Sequence, residues 1–496
     1  MPELPNPELP PLADAMVVWS AGNLAARVGC RPAGKALTLW MRMQGTATLP
    51  AGEIVGWPGA GGRWVVRFFC TRTGGREMLV AELATDARDQ PLQLTVPMTV
   101  LGAAPAHDFV LRYSGHRLEL LADGVLMDEE WPLGSLFAAA GPMQIGSAGR
   151  GLVQQMAMWN RALSDDEVLL LSGGREGQAD REERILGLQL PIGQGWSPRG
   201  INTHVGDCMP FFHAGRFHLF YLFDRHNGQS KWGLGAHQWA HASTTDLVNW
   251  EHHPLAIGIT QESEGSICTG SVFFHAGTYH AFYSVRMADL SASPLCVATS
   301  PDGIRFTKQP PFAYLTSPYK PEPARDPVVF HEEATGLFHM LVTTSLANPP
   351  VADRGGCLAH LVSRDLQQWE QREPFIVTGY PGEPECPDYF EWRGWYYLIF
   401  SHQGIAHYRM SRGPLGPWQT PAVDTFEDPE AKVMKTAAFT GGRRIGAAFV
   451  PRARDVYAGK LTLREITQRP DGTLKMGSAP NYCSKMRRVS LSNYLL

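Results

Sequence analysis

Nothing in this chain reads as an address or an anchor. Its first residues, MPELPNPELPPLADAMVVW, hold no basic stretch followed by an apolar one, so no secretory leader is predicted. No run reaches the roughly 18 apolar residues that a membrane-crossing helix requires. A cytoplasmic protein without a membrane partner is therefore expected. A strong excess of one charge is missing too: a net charge of −4 over 496 residues argues against a nucleic-acid partner. The eight cysteines (30, 70, 208, 268, 296, 357, 386 and 483) never fall into a CxxC spacing. That excludes the usual zinc ribbons and, with no leader, favours reduced thiols over a disulfide framework.

What the sequence does have is turn formers and rings: 51 Gly, 38 Pro and 14 Trp, as many short strands joined by tight turns would require. An all-β fold is expected, and the length calls for two or three domains. After a tail at 1–15, residues 16–175 read as one all-β unit. HDFVLRYSGHRLELLADGVLMDEEW is a meander that turns at Ser114-Gly115-His116 and again at Asp123-Gly124, a strong hairpin signal. GPMQIGSAGRGLVQQMAMWNRAL adds further strands, and SDDEVLLL opens a short helix with a capping box of Ser164 and Glu167. The unit resembles the laminin-G/concanavalin-like β-sandwiches, of jelly-roll type, which end in a similar WNRALSDDEV segment. Such sandwiches bind glycans or serve as packing partners. With no exposed binding motif in this one, packing is slightly favoured.

Residues 176–200 read as a linker, charged first and then rich in Gly and Pro. Beyond it the pattern becomes a repeat. DCMPFFHAGRFHLFYLF, TGSVFFHAGTYHAFYSV, RDPVVFHEEATGLFHMLVTTS, ECPDYFEWRGWYYLIFS and VMKTAAFTGGRRIGAAFV each give two strands and a turn. Each is followed by a third strand and an edge, such as WAHASTTDLVNWEHHP or LAHLVSRDLQQWEQREP. A four-stranded unit recurring every roughly 50–60 residues is the signature of a propeller blade. Residues 201–475 are therefore expected to form a five-bladed β-propeller, followed by a tail at 476–496.

Three of these units begin with an acid: Asp207, Asp326 and Glu385. In a propeller the innermost strands line one channel, so their starts converge at one mouth. Like charges there raise one another's pKa, which favours a site over a solvated rim. Carboxylates of unequal pKa are the working parts of glycoside hydrolysis. Arg325 precedes Asp326 and would hold it ionised, whereas Glu385 has only Pro384, Cys386 and Pro387 around it, the setting of a proton donor.

RDP at 325–327, EC at 385–386 and WAHASTTDLVNW at 239–250, in this order and blade spacing, resemble the motifs of glycoside hydrolase family 32. Those are the β-fructofuranosidases, invertases, inulinases and levanases. The resemblance implies a retaining glycosidase acting on terminal β-fructofuranosides or a related furanoside. Asp207 would be the nucleophile, Asp326 the transition-state stabiliser and Glu385 the general acid/base. It also implies Arg325, Trp239, Thr269 and Ser271 as substrate contacts, an oligosaccharide or small glycoside as partner, and no metal or other cofactor. Trp232 is added as a ring on which a sugar could stack. The sequence departs from the family where GDCMP replaces the Asn-Asp-Pro-Asn-Gly frame around Asp207, and where Leu222 replaces a Gln after Phe-Tyr. It departs again in placing its sandwich before the propeller. An inverting enzyme like those of family 43, on arabinofuranosides or xylosides, and a non-catalytic glycan-binding propeller are the alternatives.

Fainter signals have plainer readings. His237 and His241 stand four apart in a strand pattern, where the spacing only puts them on one face. Trp250, Trp369 and Trp418 read as blade-packing residues, and Cys208 and Cys386 as small buried fillers.

Overall fold

The computed structural model describes residues 14–477 apart from 16, 21–22, 27–31, 33, 46–48, 427, 429 and 455. The two expected tails, but for residues 14–15 and 476–477, lie outside the described residues, as do Cys30 and Cys483. Among the described residues no helix is long and apolar enough to cross a membrane.

Two antiparallel sheets make the N-terminal sandwich. One runs 125–130, 118–122, 106–113, 37–44, 153–159, 17–20 and 23–26; the other runs 144–145, 52–58, 64–73, 76–83 and 92–97. Leu39, Met41, Phe109 and Leu111 of the first sheet share a core with Phe68, Leu79, Leu94 and Val96 of the second. The other face of the larger sheet is covered as well. Trp40, Val110, Leu121 and Trp159 meet Val168 and Leu171 of the helix Asp165–Leu171. Strands buried on both faces read as continuous apolar runs, which is why alternation is weak in this unit. The capping box forms: Ser164 Oγ accepts from the Glu167 N–H at 3.3 Å and the Glu167 carboxylate from the Ser164 N–H at 2.7 Å. Asp123 and Gly124 turn the predicted hairpin with φ of 50° and 77°, as a two-residue loop of this kind needs.

The segment expected to be a linker is partly ordered into a helix, Gln178–Leu186. It buries Ile185 in the sandwich core. Further on, Trp196 is buried among the first and last blades of the propeller.

The propeller has five blades. Blade I comprises 203–213, 216–225, 238–244 and 250–252, and blade II 264–275, 278–287, 295–300 and 307–308. Blade III comprises 325–332, 337–345, 356–363 and 370–377, and blade IV 385–392, 395–402 and 405–411. Blade V comprises 432–439, 443–451, 459–468 and 474–476. Blade IV has no regular fourth strand among the described residues, only isolated bridges from Met410 to Gln419 and from His407 to Thr425. Pro414 and Pro417 lie on that edge, and neither has an N–H to donate to a ladder.

The ring is latched by residues from before it. Gly195 donates its N–H to the Leu461 carbonyl and Leu461 returns one to Trp196, both at 2.8 Å, while Val205 pairs with Gly459. The third strands of blades I to III end in one shared turn. Thr244, Ser300 and Ser363 accept backbone N–H groups of Leu247, Gly303 and Leu366, and Asp246, Asp302 and Asp365 accept the next two.

Candidate active site

Each inner strand carries one extra residue at the same place. Val205 pairs with Phe223 but Cys208 with Tyr221, and the same slip occurs after Ile267, Arg325, Glu385 and Lys432. Three residues on the inner strand thus face two on its partner, a β-bulge repeated five times. Alignment by the bulge shows that the three acids are not equivalent. Glu385 holds its first position, Asp326 its second and Asp207 its third. Asp326 and Cys386 share the second position and both adopt left-handed backbone, with φ of 57° and 50°. Such strained non-glycine positions are costly and persist where surrounding structure enforces them.

The staggered bulges aim the acids into one cavity of about 550 Å³ at the channel mouth, lined by Asp207, Asp326, Glu385, Arg325 and Thr269. Asp207 Oδ2 accepts the Thr269 hydroxyl at 2.8 Å and lies 3.6 Å from the Cys386 thiol. Its other oxygen is buried without a hydrogen-bond partner among the described residues. Burial, then the negative charge of Asp326, pushes the Asp207 carboxyl up to about 6, partly offset by the Thr269 bond. Asp326 is 3% exposed and accepts the Cys386 N–H at 2.9 Å.

Arg325 is placed differently from the sequence expectation. Its guanidinium donates to Glu385 Oε1 at 2.9 Å, while its nearest approach to Asp326 is 3.7 Å. Arg325 and Glu385 occupy the first bulge position of adjacent blades, so they face each other across the blade boundary. Glu385 is therefore not short of local charge. Its carboxyl is raised nonetheless, because burial outweighs the arginine and Asp326 adds to it. A further acid, Glu383, accepts from Ser345 at 2.7 Å and is held low by that bond and by Arg325.

Of the expected sugar contacts, Thr269 and Arg325 line the cavity and three do not. Trp239 is fully buried behind the wall, its indole N–H donated to the Cys268 carbonyl at 2.8 Å. Trp232 leaves the propeller altogether and packs on the sandwich core, with its N–H to the Gln90 carbonyl at 3.2 Å. Ser271 lines a separate cavity of about 490 Å³, built from the far halves of the inner strands. All three lie beyond the extra residue, or outside the inner strands, and the motif alone does not show where a side chain turns. Cys386 is buried as expected, yet it lines the active cavity because the bulge breaks strand alternation.

His237 and His241 part company. His237 bonds Asp224 at 3.0 Å and lines the cavity, whereas His241 is buried 3.0 Å from His218. Among the described residues no group of three or more His, Cys, Asp or Glu is arranged to hold a metal.

Sequence reasoning missed Tyr457, Arg286 and Lys432, which complete the wall. Tyr457 comes from the loop after the second strand of blade V, and its hydroxyl accepts the backbone N–H of Asp207 at 3.2 Å. The signal that could have hinted at it is Gly206. A Cβ there would stand 2.6 Å from the Tyr457 hydroxyl. The close approach is what the glycine permits.

Residues 208–442 match the family model described as the Glycosyl hydrolases family 32 N-terminal domain. Over these residues the propeller is similar to glycosyl hydrolase family 32. Raffinose invertase of Escherichia coli is 30% identical over 324 residues, covering 58% of this chain and 63% of that protein. Sucrose-6-phosphate hydrolase of Escherichia coli is 31% identical over 201 residues, 38% of this chain and 39% of that one. Levanase of Bacillus subtilis is 29% identical over 196 residues, 36% and 26% of the two chains. The chain thus spans less than two thirds of the length of these curated relatives. Among solved structures, fructan 1-exohydrolase IIa from Cichorium intybus aligns with a TM-score of 0.48 at 19% identity, over 59% of this chain and 62% of that one. The family 32 match begins at Cys208, one residue after Asp207, so this chain's GDC segment lies at the very edge of the shared pattern.

Proposed function

We propose that this propeller hydrolyses non-reducing terminal β-fructofuranosides by a retaining double displacement. The observation that carries the reading is the convergence of Asp207, Asp326 and Glu385 on one cavity, with two of the carboxyls raised above their ordinary range. Ionised Asp207 attacks the anomeric carbon while protonated Glu385 gives its proton to the departing glycosidic oxygen. A bond from carbon to Asp207 forms as the bond to the leaving oxygen breaks. Glu385, now ionised, takes a proton from water, whose oxygen displaces Asp207 and restores the enzyme. Asp326, fixed by the Cys386 N–H, stabilises the oxocarbenium-like charge and holds sugar hydroxyls. The printed names of the relatives, an invertase and a levanase among them, support this substrate class.

The test is turnover of sucrose, inulin, levan and p-nitrophenyl furanosides, with the first anomer followed by NMR. β-Fructose appearing first supports retention, and α-fructose overturns it. Asp207→Asn is expected to lower kcat by about 10⁴-fold or more while leaving sugar binding measurable by calorimetry.

One observation favours a more specific substrate. Arg286 and Lys432 line the cavity and have no ion pair among the described residues. A fructoside bearing a phosphate would meet them, as the names of several relatives specify for those proteins. A KM markedly lower for sucrose 6-phosphate than for sucrose supports this reading, and equal values refute it.

A further inference from the structure

The sandwich strand 125–130 ends in three consecutive acids, Asp128, Glu129 and Glu130, all between 0% and 6% exposed. Burying three carboxylates side by side is unfavourable unless each is engaged. All three engage one segment of the propeller, residues 225–237, which is the last residue of the second strand of blade I and the loop from it to the third. Asp128 Oδ1 meets His226 Nε2 at 2.8 Å, and Glu129 Oε1 accepts Arg225 Nε at 2.8 Å. Glu130 Oε2 accepts the backbone N–H of Lys231, also at 2.8 Å.

That loop is poorly suited to hold its own shape. His226, Asn227, Lys231, Trp232 and Ala236 all have φ between 49° and 56°. Left-handed backbone costs such residues on the order of 1 kcal/mol each, so external contacts must hold it. The units also exchange rings beside the acids. Trp131 enters the propeller core with Phe220, Leu222 and Trp239, while Trp232 packs on the sandwich core.

The loop then reaches the cavity through Leu234 and His237. His237 is bonded to Asp224, and its ring centroid lies 5.0 Å from that of Tyr457, the acceptor of the Asp207 N–H. A continuous set of contacts thus runs from the sandwich acids to the backbone of Asp207.

We propose that Asp128, Glu129 and Glu130 are positioning residues for the sugar cavity. By fixing loop 225–237 they set His237 and Leu234 against Tyr457, and so set how tightly substrate is held. This rests on the reading of the cavity as a fructoside site.

The experiment compares Glu130→Ala, which removes the acceptor for Lys231, with Glu130→Gln, which keeps one. Glu130→Ala is expected to raise KM roughly tenfold with kcat within about twofold, and Glu130→Gln to restore KM. Hydrogen exchange of the full chain is read in parallel. Peptides from 225–237 should lose protection in Glu130→Ala while those of blades III to V keep theirs. His226→Asn repeats the test on the loop itself, with a residue that tolerates left-handed backbone and a side chain too short to reach Asp128. An unchanged KM with kcat falling in step with the folded fraction overturns the proposal, as does a loop that stays protected. Either would mean that the acids only join the two units. Should the unaltered protein hydrolyse no fructoside, the functional reading fails by itself. The exchange result then still decides whether the acids hold the loop.

Discussion

As the proposed nucleophile, Asp207 would have to be ionised to attack, and its environment works against that. Burial and Asp326 raise its carboxyl to about 6, while the Thr269 hydroxyl pulls it down. The sign follows directly. The proposed mechanism requires Asp207 deprotonated and Glu385 protonated, so it predicts that kcat/KM falls as pH drops through about 6 and falls again as pH rises and Glu385 ionises. Thr269→Val removes the bond that favours the ionised form. The acid limb of a pH–rate profile should therefore move to higher pH, and a limb left in place would show that Thr269 does not act on Asp207. Gly206 sets the other side of this carboxylate. In Gly206→Ala the new methyl meets the Tyr457 hydroxyl at 2.6 Å, on a backbone that an alanine can adopt. A loss of roughly 10- to 100-fold in kcat/KM is expected, because the nearest atom to the new methyl is the Tyr457 hydroxyl that holds the Asp207 N–H.

The repeating elements divide into those that residue order reveals and those it hides. The blades were legible because each turns through Gly and returns as an apolar strand. Their outer turns were legible too, as TTDLVNW, SPDGIRF and SRDLQQW. Thr244 shows why the pattern holds: its buried hydroxyl accepts the N–H groups of Asp246 and Leu247. Thr244→Val leaves those donors unmet and should cost about 1–2 kcal/mol in urea denaturation. The bulges were hidden, since an extra residue in a strand does not alter its apolar composition. Without them the three acids read as equivalent strand starts, and Arg325 reads as the partner of its sequence neighbour Asp326. The added residue turns Arg325 to Glu385 instead. Tyr457 was hidden for a different reason. It reaches Asp207 from 250 residues away, from a loop with no motif of its own.

At the scale of the whole molecule, the sandwich and propeller share hydrophobic material. Trp131 is 1% exposed in a cluster made otherwise of blade I and II residues. Trp131→Ala should cost about 3–5 kcal/mol and lower the melting of the propeller, though the mutated residue belongs to the sandwich. Calorimetry showing only a sandwich transition displaced would refute the shared core. The sequence pointed to two units and favoured packing over binding for the first. It could not show that a strand end and a propeller loop would interlock, because that contact depends on how both units are already folded. The latch at Gly195 and Trp196 adds an order in time. A chain leaving the ribosome presents these residues early, yet their partner Leu461 emerges only with the last blade. The ring stays open through most of synthesis, while the sandwich ahead of it can already be complete. Nascent blade I therefore meets a finished surface, and its strained loop has a template waiting before the other four blades exist.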